Sequence, residues 1–189
     1  MFNNKLIFNS AILSIPGLIS IFISLFAIPI HLKFAGIENY GNYVIFHLLL
    51  TISFLFNLGI AKSIVISINN FPKYKREIAY EGIKYTSYIC LFILSLLIIF
   101  LFFFEKLFSF EKIFLLKYCS FGIITSLFFL CFEGILLGNE KFKFSSFFNF
   151  IFYSISLTGP SLMLIFYQNL SLENLIIIST VIKLLIILI

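Results

Sequence analysis

Four ionisable side chains lie inside long, otherwise apolar stretches of the sequence: His47, Lys62, Glu133 and Lys183. A charge within an apolar membrane segment is energetically costly, so such a group is expected to face protein or water and to act on an ion or a charged substrate. Ammonium groups attract phosphate, whereas a carboxylate attracts cations. The four residues are therefore the candidate lining of a substrate cavity.

Lys183 is the deepest of these candidates. It lies about 13 Å along a helix from Asn174, close to the middle of a bilayer. Lys62 and Glu133 lie nearer the ends of their segments. Lys62 either extends its long stem to the membrane surface or faces a water-filled cavity, and the two residues either pair or both face that cavity.

The two histidines are separated in depth. His47 shares a helical arc of about 60° with Thr51 and Lys62, and it is either a neutral packing residue or part of the cavity. His31 falls at the outer boundary of the first apolar segment, where we assign it no role.

No catalytic motif is present. The sequence lacks a glycine-rich phosphate loop, the HExxH and GxSxG patterns, and any aspartate for a metal site. The three cysteines, Cys90, Cys119 and Cys131, have no CxxC spacing, so we interpret them as buried, inert thiols. We therefore predict no enzyme, no catalytic residue, no cofactor and no metal site.

The elements that must position these residues are membrane helices. Of 189 residues, 61% are hydrophobic and only 11% are charged, too few charges to cover a soluble domain. Runs of about 20 apolar residues span a bilayer. We predict an all-α, polytopic membrane helix bundle, a single transmembrane lobe over residues 1–189, with five complete spans and an incomplete sixth. The predicted spans are Leu6–Leu32, Tyr43–Ile68, Thr86–Phe104, Tyr118–Leu137, Ser146–Tyr167 and Leu175–Ile189. The short last span suggests a truncated protein or a fragment.

Basic residues predict the orientation, because cytoplasmic loops are enriched in Lys and Arg. With a cytoplasmic N-terminus, the outer segments hold four basic residues and the inner segments hold seven. The outer ones are Lys33, Lys106, Lys112 and Lys117; the inner ones are Lys5, Lys73, Lys75, Arg76, Lys84, Lys141 and Lys143. The net charge of +5 is thus explained by topology, and we expect no nucleic-acid partner.

Small residues form a stripe on the first span. Ser10, Ser14, Gly17, Ser20 and Ser24 fall within roughly a 120° arc, typical either of a helix-packing seam or of a polar cavity lining. In the fifth span, Gly159 and Pro160 predict a kink, because proline removes a backbone hydrogen bond and clashes one turn back.

Three sequence segments carry a resemblance to a known family. They are LKFAGIENYGNY at residues 32–43, NLGIAKS at residues 57–63 and EGILLGNEKFKFSSFFN at residues 133–149. With a proline-bearing first helix before them, these segments resemble the N-terminal lobe of polysaccharide biosynthesis flippases. These are O-antigen-type and teichoic-acid-type exporters of the multidrug/oligosaccharidyl-lipid/polysaccharide exporter superfamily.

Local features agree with that resemblance. Gly36 and Gly41 suit a tight outer turn, with Tyr40 and Tyr43 anchoring at the membrane interface. Gly59 suits close helix packing near the inner end. Many relatives carry an acidic residue where this chain has Asn57, which weakens carboxylate coupling at that position.

The resemblance implies flipping of a polysaccharide precursor across the bacterial inner (plasma) membrane. The implied substrate is an undecaprenyl-diphosphate-linked glycan, such as a lipopolysaccharide O-antigen precursor for the cell envelope. The implied partners are the lipid bilayer and a missing C-terminal lobe or other envelope polysaccharide proteins. Lys62 and Lys183 would attract the diphosphate while two lobes rock to alternate access.

Three other readings stay open at this stage. A multidrug exporter of the same superfamily would need acidic cavity groups, and Glu133 is the only acid within a span. A non-transporting membrane protein or gene fragment fits the short last span. A membrane glycosyltransferase would need acidic residues in an outer loop, which Glu38, Glu105 and Glu111 supply poorly.

Overall fold

The computed structural model describes residues 4–51, 53–104, 110–167 and 170–188; at residues 4–7, 54, 101, 104, 110–117 and 188 it describes the backbone alone. The described residues form helices joined by short turns and contain no strand. The helices are α1 (Asn4–Thr51), α2 (Ser53–Phe56), α3 (Ile60–Asn70), α4 (Lys75–Phe104), α5 (Phe110–Gly138), α6 (Phe142–Asn149), α7 (Ser156–Phe166) and α8 (Leu172–Leu188). A 3₁₀ turn, Pro72–Tyr74, precedes α4, and a π-helical segment, Phe150–Ile155, joins α6 to α7.

Four stretches of the described residues are long and apolar enough to cross a membrane: Phe8–Thr51, Pro72–Phe100, Tyr118–Gly138 and Phe142–Phe166. Large apolar side chains are exposed along them, among them Phe22, Phe26 and Ile98. Because water would strongly disfavour such a surface, the stretches indicate a membrane-embedded protein. The prediction of an all-helical membrane protein is confirmed. The predicted count of five complete spans and an incomplete sixth is not confirmed.

The predicted boundary between the first two spans is present as a break at Gly36. There α1 consists of two helices that meet across a kink, and Gly36 lies outside helical geometry, with φ of 82°, a conformation that glycine adopts readily. Gly41 is helical, so the break is shorter than the predicted turn. The second predicted span is interrupted by a further turn at residues 57–59. There Gly59 has φ of 76° and no neighbour within 4 Å of an added Cβ, so it serves the turn rather than close packing.

Other boundaries moved by smaller amounts. Helix α4 begins at Lys75, before the predicted Thr86, because Lys75–Tyr85 contains no proline and its glycine, Gly82, is accommodated within the helix. Helices α5 and α8 contain most of their predicted spans, although Ile189 lies outside the described residues. Residues 105–109 lie outside the described residues, and helix α5 begins at Phe110.

The chain divides into two compact units. Unit 1 comprises residues 1–45 and 140–189, and unit 2 comprises residues 46–139. In unit 2 the core is apolar: Ile64, Ile68 and Cys131 pack together, surrounded by isoleucines of α3, α4 and α5. Helix α3 packs so closely on α5 that a Cβ at Gly134 would lie 2.7 Å from the Ala61 carbonyl oxygen.

The three cysteines are buried free thiols, all in unit 2. This agrees with their interpretation as apolar packing residues.

Candidate functional site

The four candidate cavity residues are distributed between the two units. Lys183 belongs to unit 1, whereas His47, Lys62 and Glu133 belong to unit 2. Lys183 is buried, His47 and Glu133 are half-buried, and Lys62 is exposed. Their assignment to one cavity stays a prediction.

Lys183 lies on α8 with 4% of its surface exposed. Its Nζ is 5.4 Å from the centre of the Phe152 ring, in the π-helical segment. An ammonium near an aromatic ring is attracted to the electron-rich face. A charged lysine exposed to lipid hydrocarbon is strongly disfavoured, so burial of Lys183 within the protein is the arrangement expected in a bilayer.

Tyr43 satisfies a backbone carbonyl that Pro160 leaves without its helical partner. Proline has no N–H, so residue 160 cannot donate to the carbonyl of Ser156, four residues earlier. The Tyr43 hydroxyl donates to the Ser156 carbonyl at 3.3 Å and to the Leu157 carbonyl at 3.1 Å. The prediction that Tyr43 anchors at the membrane interface was therefore wrong: 1% of its surface is exposed.

His31 was given no role, and that was also wrong. It is 2% exposed, and its Nδ1 lies 2.7 Å from the Ser161 hydroxyl on α7. The missed signal was the position of His31 three helical turns after Ser20, about 20° away on the helix surface. His31 therefore continues the small polar stripe of the first span.

That stripe is a packing surface only in part. The Ser20 and Ser154 hydroxyls are in hydrogen-bond contact, and Ser146 donates to the Ile12 carbonyl at 2.8 Å. Ser10, Ser14 and Gly17 are exposed. The interhelical contacts therefore occur along the part of α1 that faces α6 and the π-helical segment.

In unit 2 the ionisable candidates flank the close helix crossing. Lys62 follows Ala61 and Glu133 precedes Gly134, the two residues whose backbones nearly touch. The crossing therefore brings the Lys62 and Glu133 backbones to the same level. His47 packs edge-on against Phe46, with ring centres 5.3 Å apart.

The interior of unit 1 combines one ammonium, aromatic rings and several hydroxyls. Ser154, Ser156, Thr158, Ser161, Ser179 and Thr180 are all buried there. Such an interior is suited to holding an anion or hydroxyl groups by charge and hydrogen bonds. Among the described residues, no group of three or more His, Cys, Asp or Glu side chains has the geometry to hold a metal ion.

These features define the class of the protein: a helical membrane protein with a polar, lysine-containing interior. No protein-family model matches the chain, and neither a curated protein nor a solved structure matches it.

Proposed function

We propose that the chain forms one lobe of a transporter that moves a lipid-linked anionic oligosaccharide across the bacterial plasma membrane. The observation that carries the proposal is the burial of Lys183. Among the side chains that the structure describes, Lys183 is the charged residue that is buried, and no carboxylate is buried. A cationic interior favours an anionic substrate.

The substrate we propose is an undecaprenyl-diphosphate-linked glycan, the precursor of an O-antigen or a related envelope polysaccharide. Its diphosphate would bind near Lys183, while its isoprenoid tail stays in the bilayer. Ser156, Thr158 and Thr180 in the same unit already donate their O–H groups to backbone carbonyls. The proposed attraction of the diphosphate therefore depends on the charge of Lys183. In this proposal the N-terminus lies in the cytoplasm and a second lobe completes the cavity. The proposal includes no catalytic step.

Support comes also from the sequence resemblance to polysaccharide flippases and from the irregular backbone of unit 1. π-helical segments occur frequently at functional sites, and this one carries Phe152, the ring beside the Lys183 ammonium. We propose Lys62 as a second cation that attracts the diphosphate. Its exposed side chain equally suits a position that extends to the membrane surface.

Translocation in proteoliposomes tests the proposal. A fluorescent undecaprenyl-diphosphate-linked oligosaccharide, the protein and its second lobe are reconstituted together, and its passage between leaflets is measured. Lys183→Ala is expected to reduce the rate about tenfold or more, since a charged hydrogen bond contributes about 1.5–3 kcal/mol. Lys183→Arg should retain more activity, because it keeps the charge.

Lys143→Ala is the matched control, because Lys143 is exposed. Equal rates for Lys183→Ala and the unmodified protein would disprove the assignment of Lys183. Lys62→Ala separates a cavity role from a surface position, since only the former predicts a slower rate. Efflux of a cationic dye that depends on Glu133 would instead indicate a multidrug exporter, and no movement of either probe would indicate a non-transporting membrane protein.

A further inference from the structure

His31 is held inside unit 1 with only part of its hydrogen-bonding capacity used. Its Nδ1 contacts the Ser161 hydroxyl at 2.7 Å. Its ring lies between the Tyr43 ring, at 4.8 Å between centres, and the Tyr40 ring, at 5.7 Å. Its Nε2 is buried and has no hydrogen-bond partner among the described residues.

A buried polar atom without a partner is rare in folded proteins and needs a physical reason. Neutral histidine has one ring N–H and one acceptor nitrogen, whereas the protonated ring has two N–H donors. Around His31 the structure supplies one polar partner, the Ser161 hydroxyl. This arrangement suits the neutral ring and not the protonated one.

We propose that His31 is a proton-binding site in unit 1, neutral while it packs against Ser161 and protonated when the two residues separate. In the packed state a protonated ring would bury a charge with one N–H unsatisfied. One charge-assisted hydrogen bond to Ser161 does not offset that penalty. Protonation and packing therefore oppose each other, and acidification opens the His31–Ser161 contact.

The charged and titratable groups around His31 agree with this direction. On α1 they are Tyr40 and Tyr43, together with the exposed Lys33 and Glu38. Helix α7 has no titratable side chain, and α8 carries the exposed Glu173 and the buried Lys183. Because the buried charge in this unit is already positive, a second buried cation is further disfavoured.

The sign of the pH dependence follows from linkage. Packing favours the neutral ring, so the contact is stable at high pH and is lost as the pH falls. The inference does not depend on the proposed substrate. In a transporter, protonation of such a site would favour the conformation in which His31 and Ser161 are separated.

Nitrogen NMR of the imidazole rings tests the proposal directly. The chain has two histidines, so His47→Gln leaves His31 as the only imidazole. The full chain, labelled in nanodiscs with ¹⁵N-histidine and with ¹³C in the tyrosine rings, is titrated from about pH 8 to about pH 4, the range in which histidine charge changes are commonly found. We expect the neutral signal to convert to the protonated one, and the Tyr43 ring signal to shift at the same midpoint, reversibly.

Ser161→Ala should move the His31 midpoint and uncouple it from Tyr43. Ser146→Ala, which removes another interhelical hydrogen bond of unit 1, should leave it unchanged. If His47→Gln misfolds, the His31 signal is assigned as the one that His31→Gln removes from the unmodified chain. A ring that stays neutral throughout, or that titrates without a change at Tyr43, would overturn the proposal.

Discussion

The interiors of the two units differ in where their buried hydroxyls form hydrogen bonds. In unit 2, Thr125 and Ser126 both donate to the Gly122 carbonyl of their own helix, and Thr86 donates to the Gly82 carbonyl of its own. In unit 1, Ser156, Thr158 and Thr180 likewise donate to carbonyls of their own helical segments. Two further hydroxyls of that unit, those of Ser154 and Ser161, instead contact polar side chains of another helix, α1. Hydroxyls that bond within one helix leave helix contacts to apolar packing, whereas bonds between helices make the contact itself polar.

The two units differ also in the charged and titratable groups that they bury. Both units place a glycine against a neighbouring helix, Gly134 in unit 2 and Gly159 in unit 1. The buried side chains of unit 2 are apolar groups, thiols and hydroxyls. Unit 1 buries a lysine and a histidine. We interpret unit 2 as a rigid scaffold and unit 1 as the part of the chain that binds polar groups. Four substitution experiments test that comparison.

The largest effect is expected at the helix crossing of unit 2. Gly134→Ala places a Cβ 2.7 Å from the Ala61 carbonyl oxygen, and backbone cannot yield as a side chain can. We expect a loss of about 3 kcal/mol in the free energy of unfolding, measured by thermal unfolding in detergent. Gly17→Ala is the control, since nothing lies within 4 Å of its added Cβ. Equal stability of the two variants would contradict the close crossing.

Lys183→Met tests whether the polar interior of unit 1 serves function rather than stability. Methionine fills similar space without a charge, so the free energy of unfolding should rise by about 2 kcal/mol. Transport should be lost in the same variant. A clear loss of stability would mean instead that the ammonium holds unit 1 together.

The Tyr43 bond to the carbonyl freed by Pro160 is tested by a double-mutant cycle. Tyr43→Phe should cost about 1 kcal/mol, because the buried Ser156 carbonyl loses its donor. In a Pro160→Ala background the restored N–H can donate to that carbonyl, so the same substitution should cost less. Additive effects in the two unfolding midpoints would contradict the pairing of these residues.

The smallest effects compare two buried serines directly. Ser154→Ala in unit 1 removes an interhelical contact with Ser20 and should cost about 1 kcal/mol. Ser126→Ala in unit 2 removes a bond to a carbonyl of its own helix and should change stability by about 0.5 kcal/mol or less. A reversed order in the unfolding midpoints would remove the distinction between the two interiors.

The membrane helices were predictable because hydropathy is a local property. A run of apolar residues as long as a bilayer is thick has few other stable environments. The predicted break near Gly36 and the irregularity of the fifth span have local causes too, since glycine and proline act on their own backbone. The structure shows the first break at Gly36 itself, as a kink between two helices. The second irregularity is a π-helical segment that ends one turn before Gly159, because neighbouring helices decide how such a break is accommodated.

Side-chain environments depended on tertiary structure. The amino-acid sequence by itself determined that two lysines, two histidines, one glutamate and many hydroxyls are present within apolar segments. It did not determine that His31 meets Ser161, that Tyr43 reaches the carbonyl freed by Pro160, or that Lys183 is buried while Lys62 is exposed. Those outcomes depend on which face of each helix meets another helix, and that is set by contacts between residues more than a hundred positions apart.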